Sequence, residues 1–145
     1  MASATIISLD RYNWELCLDI QMEPEQEQFI PSVLYSLAQA NFEDLHPYGI
    51  LYGDRMVGFL MYGIFGGICW INRVIVDREY QGQGIGKSAV KELIYMLKGK
   101  ITCREIRTSY AAENFVADQF FRGIGFVPLN EEMEHEVVAR YEGKF

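Results

Sequence analysis

The sequence has no apolar run approaching the roughly 20 residues that a membrane span requires, so no membrane partner is expected. Residues 1–5 carry neither a basic region nor a long apolar core, which leaves no signal peptide to expect and points to a cytoplasmic location. Cysteine is scarce and odd in number. Cys17, Cys69 and Cys103 show no metal-ligand spacing, so they read as reduced thiols of an intracellular protein and no metal is expected. Basic charge is also short: 13 Lys and Arg face 20 Asp and Glu, a formal charge of −7. That balance argues against a nucleic-acid partner and tolerates a cationic one. No internal repeat, low-complexity tract or linker divides the chain.

What is present is a globular composition, half hydrophobic and 14% aromatic. The 145 residues suit one domain over 1–145. A chain of this size buries about 68–70% of its unfolded surface, enough for an unstapled core.

The periodicity predicts a first strand over residues 4–9 and a helix after Asp10 or Asn13 carrying Trp14, Cys17 and Leu18. An acidic segment follows, with Glu23, Glu25 and Glu27. A second helix starts near Pro31, with Val33, Leu34, Leu37 and Ala38 on one face and a stop at Asn41. Residues 48–52 and 57–62 read as a hairpin around Gly53-Asp54-Arg55. A Gly66-Gly67 turn leads into a strand over 68–77. Further on, 105–110 reads as a strand, and a helix opens at Glu113-Asn114 with Val116, Ala117, Phe120 and Phe121 inward. Residues 124–128 turn into another strand, and 134–141 alternates as the last. The order βααβββαβαββ predicts an α/β fold, a mixed sheet with helices on both faces.

The most informative stretch runs from the strand at Val74-Ile75-Val76 through Gln81-Gly82-Gln83-Gly84-Ile85-Gly86-Lys87-Ser88. A helix follows, with Val90, Leu93, Ile94 and Leu97 at i, i+3, i+4, i+7 spacing. Three glycines at alternate positions bring bare N–H groups together at a helix N-terminus, where unpaired donors and the helix dipole favour an anion. The spacing selects among phosphate ligands. Gly86-Lys87-Ser88 lacks the glycine five residues earlier that a Walker loop needs, since Gln81 stands there. G-x-G-x-G also misses the Rossmann pattern by one residue.

Gln81-x-x-Gly84-x-Gly86 after a β-branched strand resembles the acetyl-CoA loop of the GNAT acetyltransferase superfamily. A second stretch, Asn114-x-x-Ala117-x-x-Phe120-Phe121-x-x-x-Gly125-Phe126, resembles the signature that ends GNAT domains. Pro24-Glu25-Gln26-x-x-Phe29, Ser36-Leu37-Ala38-x-Ala40, Val57-Gly58-Phe59-x-Met61-Tyr62-Gly63, Tyr80-Gln81-Gly82-x-Gly84 and Ser109-Tyr110 together look like bacterial spermine/spermidine (diamine) acetyltransferases.

The resemblance implies a GNAT-like, mostly antiparallel sheet and acetyl-CoA as co-substrate. Backbone groups of Val74, Ile75 and Val76 would meet the pantetheine arm and the developing oxyanion. Residues 81–87 with Ser88 would cradle the pyrophosphate, and Asn114 would reach the pantetheine from the other side. The acceptor would be a small cationic amine such as spermine or spermidine, with Glu25 and Glu27 holding its distal ammonium groups. A homodimer is the oligomer that the resemblance favours. Another amine acceptor (a protein N-terminus or an amino acid), a non-catalytic acyl-CoA-binding module and a cofactor-free partner-binding domain stay open as alternatives.

An alkylammonium has a pKa of about 10.4, so near pH 7.4 about one molecule in a thousand is nucleophilic, a deficit of roughly 4 kcal/mol. Deprotonating it is the larger proton problem, because a thiol of pKa about 8.5 leaves tolerably as thiolate. The usual positions for a base hold Trp70 and Ser109, and Phe121 stands where the family carries a general-acid tyrosine. Tyr110 and Glu113 are the nearby candidates for a direct catalytic role.

Overall fold

The computed structural model describes residues 3–100 and 102–143. The strands are β1 (Thr5–Ser8), β2 (Leu45–Tyr52), β3 (Arg55–Phe65), β4 (Ile68–Val76), β5 (Glu105–Ala111), β6 (Phe126–Met133) and β7 (Glu136–Tyr141). The helices are α1 (Val33–Phe42), α2 (Ile85–Lys98) and α3 (Phe115–Ile124). All seven strands form one sheet in the order β1-β2-β3-β4-β5-β7-β6. Every neighbouring pair is antiparallel except β4 with β5.

Alternation along the strands sends side chains to two cores. On one face, Leu60 and Tyr62 of β3 meet Val90, Leu93 and Leu97 of α2 and Phe121 and Ile124 of α3. On the other, Phe59 and Met61 meet Val33 and Leu37 of α1 and the buried Cys17. The helices thus cover both faces, as their apolar stripes predict.

β4 departs from simple alternation. Met61 pairs with Arg73 but Tyr62 with Ile71, so Asn72 is an extra residue, a β-bulge. Cys69 and Ile71 before it, and Val74 and Val76 after it, all reach the α2–α3 core. Ile75 reaches the α1 core.

The first two helical segments differ from expectation. Residues 10–18 form no α-helix, only a 3-10 turn over Trp14–Cys17. Asp10 Oδ1 accepts from Tyr12 N–H at 2.8 Å, Asn13 Oδ1 accepts from Asp10 N–H at 2.8 Å, and Asn13 Nδ2 donates to Ser8 O at 3.1 Å. These local bonds hold a turn in place of a helix. α1 starts at Val33 behind the cap Ser32, whose Oγ accepts from Tyr35 N–H. Its inward face is Val33, Ser36, Leu37 and Ala40, while Leu34 and Ala38 face solvent.

The thiols also correct the sequence reading. The parallel register sets Cys69 opposite Ile106, and a turn from Lys100 brings Cys103 back against it. The two are joined in a disulfide with Cα atoms 5.6 Å apart. Cys17 is the free cysteine, and burial pushes its thiol up to about 11, which makes it a poor nucleophile.

Candidate active site

β4 and β5 pair only from Ile68↔Glu105 to Ile71↔Thr108. Beyond that point the strands splay, and the fork between them opens into a cavity of about 640 Å³. Its walls include Asn72 to Val76 from β4, Thr108 to Ala111 from β5, Asn114 and Phe121 from the α3 segment, and Gln26, Phe29 and Ile30 from the chain before α1. The size falls within the ordinary range of about 300–1,000 Å³ for small-ligand sites.

Past the fork, among the described residues, β4 has no strand on its β5 side. The Ile75 carbonyl lies against Gly58 of β3, whereas the Val76 carbonyl accepts from Gln81 Nε2 at 3.0 Å. Alternation therefore turns the backbone groups of Val74 and Val76 toward the fork and those of Ile75 toward β3. Of the three residues, Val74 and Val76 turn backbone groups toward the cavity.

The glycine turn closes the far end. Gly82 and Gly84 have φ of +77° and +79°, the left-handed region that glycine enters freely. Gly84 caps α2, and the first N–H bonded back along this helix is that of Ser88, to Gly84 O. The N–H groups of Ile85, Gly86 and Lys87 precede it and have no acceptor within the helix. A Cβ on Gly86 would lie 3.1 Å from Phe120 and 3.3 Å from Val76, so glycine here also allows close packing of helix and strand. Ser88 points away: its Oγ accepts from Ala4 N–H at 3.0 Å and donates to Ala4 O at 3.4 Å, tying α2 to the start of β1. Gln83 is exposed and does not line the cavity, whereas Gln81 and Lys87 do.

The other predicted residues separate. Asn114 is buried on the cavity wall. Its Oδ1 caps α3 by accepting from Ala117 N–H, and its Nδ2 donates to Gln26 Oε1 at 2.9 Å, bridging to the segment before α1. Tyr110 lines the cavity with its ring stacked on Phe121, but its hydroxyl donates to Asp118 Oδ1 at 2.7 Å. Burial and that carboxylate raise the phenol's pKa well above its usual value. An acid role would need the proton that Tyr110 gives to Asp118. Glu113 is exposed and outside the cavity, as are Glu25 and Glu27. Val116, expected inward, is exposed at the cavity's edge.

One residue that the sequence left among the alternating polar positions of the last strand belongs to the site. Glu136 lines the cavity and accepts from Ser109 Oγ at 2.7 Å. Arg73, also on the wall, spends its guanidinium on Ser36 Oγ, Gln39 Oε1 and Asn72 O.

A splayed sheet with two backbone positions turned outward on one edge and an anion-ready turn at its end suits a long ligand with phosphate at one end. Residues 14–126 match the acetyltransferase (GNAT) family, and the chain belongs to it: it is an acetyl-CoA-dependent N-acetyltransferase. Among similar proteins, the spermine/spermidine N(1)-acetyltransferase of Bacillus subtilis (strain 168) is 32% identical over 128 residues, 81% of this chain and 82% of that one. The N-alpha-acetyltransferase RimI of Mycobacterium tuberculosis is 28% identical over 132 residues, covering 84% and 77%. The fold matches the solved paia N-acetyltransferase of Thermoplasma acidophilum in complex with coenzyme A, with TM-score 0.71, 19% identity, and 95% and 98% coverage.

The stacking of Tyr110 on Phe121 sets one expected result. Phe121→Tyr should change turnover less than about tenfold, short of the 10²–10⁴ of a positioned acid, because thiolate departure is the lesser proton problem. Steady-state thiol release measures it, and a hundredfold gain would show that the site lacks an acid.

Proposed function

We propose that the protein transfers acetyl from acetyl-CoA to a primary amine of a polyamine or diamine. The 32% identity to a spermine/spermidine N(1)-acetyltransferase over four-fifths of both chains carries this reading. The formal charge of −7 suits a polycationic acceptor.

In this reading Val74 and Val76 hold the pantetheine by their backbone groups. The N–H groups leading into α2 take the pyrophosphate, with Gln81 bracing the turn against β4. Asn114 lines the opposite wall. Glu25 and Glu27 flank Gln26 in sequence and act on the acceptor by long-range attraction only. The RimI similarity supports a second reading, acetylation of a protein α-amine.

Thiol release over spermidine, spermine, putrescine and an α-amino peptide separates the two. Polyamines should give the highest kcat/KM, falling as salt rises, since exposed charges are screened within about 8–10 Å at 0.1–0.15 M. Glu25→Gln with Glu27→Gln should raise the polyamine KM by no more than about threefold, as exposed charges contribute little each. Should the peptide or a neutral-tailed monoamine match the polyamines at every salt concentration, the polyamine reading is wrong.

A further inference from the structure

We propose that Glu136 is the carboxylate that receives the acceptor's ammonium group and takes its proton, and that Ser109 positions it. The proposal rests on acetyl transfer to an amine and names the acceptor residue of that same site.

The placement follows from the fork. Ile71↔Thr108 is the last pair joining β4 to β5, so Asn72 and Ser109 are the first residues on either side of the opening. Ser109 pairs on its other edge with Val138 of β7, and Ala111 pairs with Glu136. Ser109 and Glu136 thus stand on one face, and the Ser109 hydroxyl donates to Glu136 Oε1 at 2.7 Å. That bond fixes the carboxylate at the start of the fork, on the wall opposite the β4 bulge. Among the described residues, no hydrogen-bond donor meets the second carboxylate oxygen, and no salt bridge reaches Glu136. The nearby cation, Arg73, attracts Glu136 electrostatically without a salt bridge to it, and three of its five N–H donors are engaged by Ser36, Gln39 and Asn72.

The other carboxylates do not serve. Glu25, Glu27 and Glu113 are exposed and off the cavity wall. Asp118 accepts from Tyr110 and Arg122 and is not on the wall. Among the described residues, Glu136 is the acidic side chain that lines the cavity.

The chemistry needs such a group. About one alkylamine in a thousand is unprotonated near neutral pH, so most acceptors arrive as ammonium ions, which a carboxylate binds. The bound ammonium first gives one proton to Glu136, which passes it to solvent and leaves the nitrogen with its lone pair. As that pair forms the N–C bond to the acetyl carbon, the nitrogen becomes acidic and its second proton passes to the carboxylate. The C–S bond then breaks with its electron pair on sulfur. Of the two protons the nitrogen loses overall, one ends on the coenzyme A thiol and one in solvent. Ser109 touches no reacting atom and acts by holding Glu136.

The test is steady-state thiol release by wild type, Glu136→Gln, Glu136→Asp, Ser109→Ala and Ser109→Thr, using whichever amine of the panel wild type turns over best. Acetyl-CoA binding by calorimetry and melting temperature serve as fold controls. Glu136→Gln should lower kcat/KM for the amine by at least about 100-fold, with kcat reduced and acetyl-CoA affinity within about twofold of wild type. Glu136→Asp, which keeps the charge, should recover part of this. Ser109→Ala should lose about tenfold in kcat/KM, and Ser109→Thr should restore most of it. Glu136→Gln kinetics within about threefold of wild type would overturn the proposal, and a loss confined to KM would overturn the proton transfer. The wild-type ranking of amines tests the polyamine reading separately, because Glu136 is judged on the best acceptor whatever its identity.

Discussion

Gly84→Asp should weaken acetyl-CoA binding by at least about 100-fold while the protein still folds. The substitution puts a carboxylate where the leading N–H groups of α2 gather, against the pyrophosphate that the turn is proposed to hold. A Cβ at Gly84 meets nothing within 4 Å, so space is not the obstacle. The φ of +79° strains any side chain there, by about 1–3 kcal/mol for a residue other than glycine. Gly84→Asn is the control, since asparagine tolerates this conformation and adds no charge. Calorimetry should show Gly84→Asn binding acetyl-CoA much better than Gly84→Asp at similar melting temperatures. Equal affinity for folded Gly84→Asp and wild type would remove the turn from the phosphate site.

The disulfide carries the second large effect, on stability. Cys69 and Cys103 are 34 residues apart, and the segment between them holds the glycine turn and α2. Loop-closure entropy puts the stabilisation at about 4 kcal/mol for a loop of this length. At 2–4 °C per kcal/mol for a domain of roughly this size, reduction should lower the melting temperature by about 10 °C. Cys103→Ser should melt like the reduced wild type and should not respond to reductant. Denatured, unreduced protein should show one titratable thiol, that of Cys17. Three thiols in that sample would disprove the bond.

Much of this architecture is local in origin and therefore legible in sequence. The stripe Val90, Leu93, Ile94 and Leu97 lies buried in α2, and the left-handed Gly82 and Gly84 stand where alternate glycines demanded a special turn. What was not legible depends on partners far along the chain. Ser36 is a polar residue in α1, yet it is fully buried, and its hydroxyl accepts from Arg73, 37 residues on. Glu136 looks like one polar position in an alternating strand until Ser109, 27 residues earlier, is set beside it. Cys69 and Cys103 carry no spacing signal, because the crossover through α2 alone brings them together. At residues 10–18 the apolar pattern outweighed two short polar side chains, although Asp10 and Asn13 close a turn on themselves.

The bulge at Asn72 makes β4 a strand read in two frames. Up to Ile71 the odd-numbered residues belong to the α2–α3 core; after Asn72 the even-numbered ones do. The place where β4 and β5 part coincides with this frameshift. The position of the fork is thus written in a count of residues, not in the identity of any side chain. Arg73, just past the bulge, is tied to Ser36 and Gln39 of α1, so the frameshift is braced from the α1 side while Val74 and Val76 keep their phase. A single insertion or deletion would do what no substitution there can: exchange the two faces of everything downstream to the glycine turn.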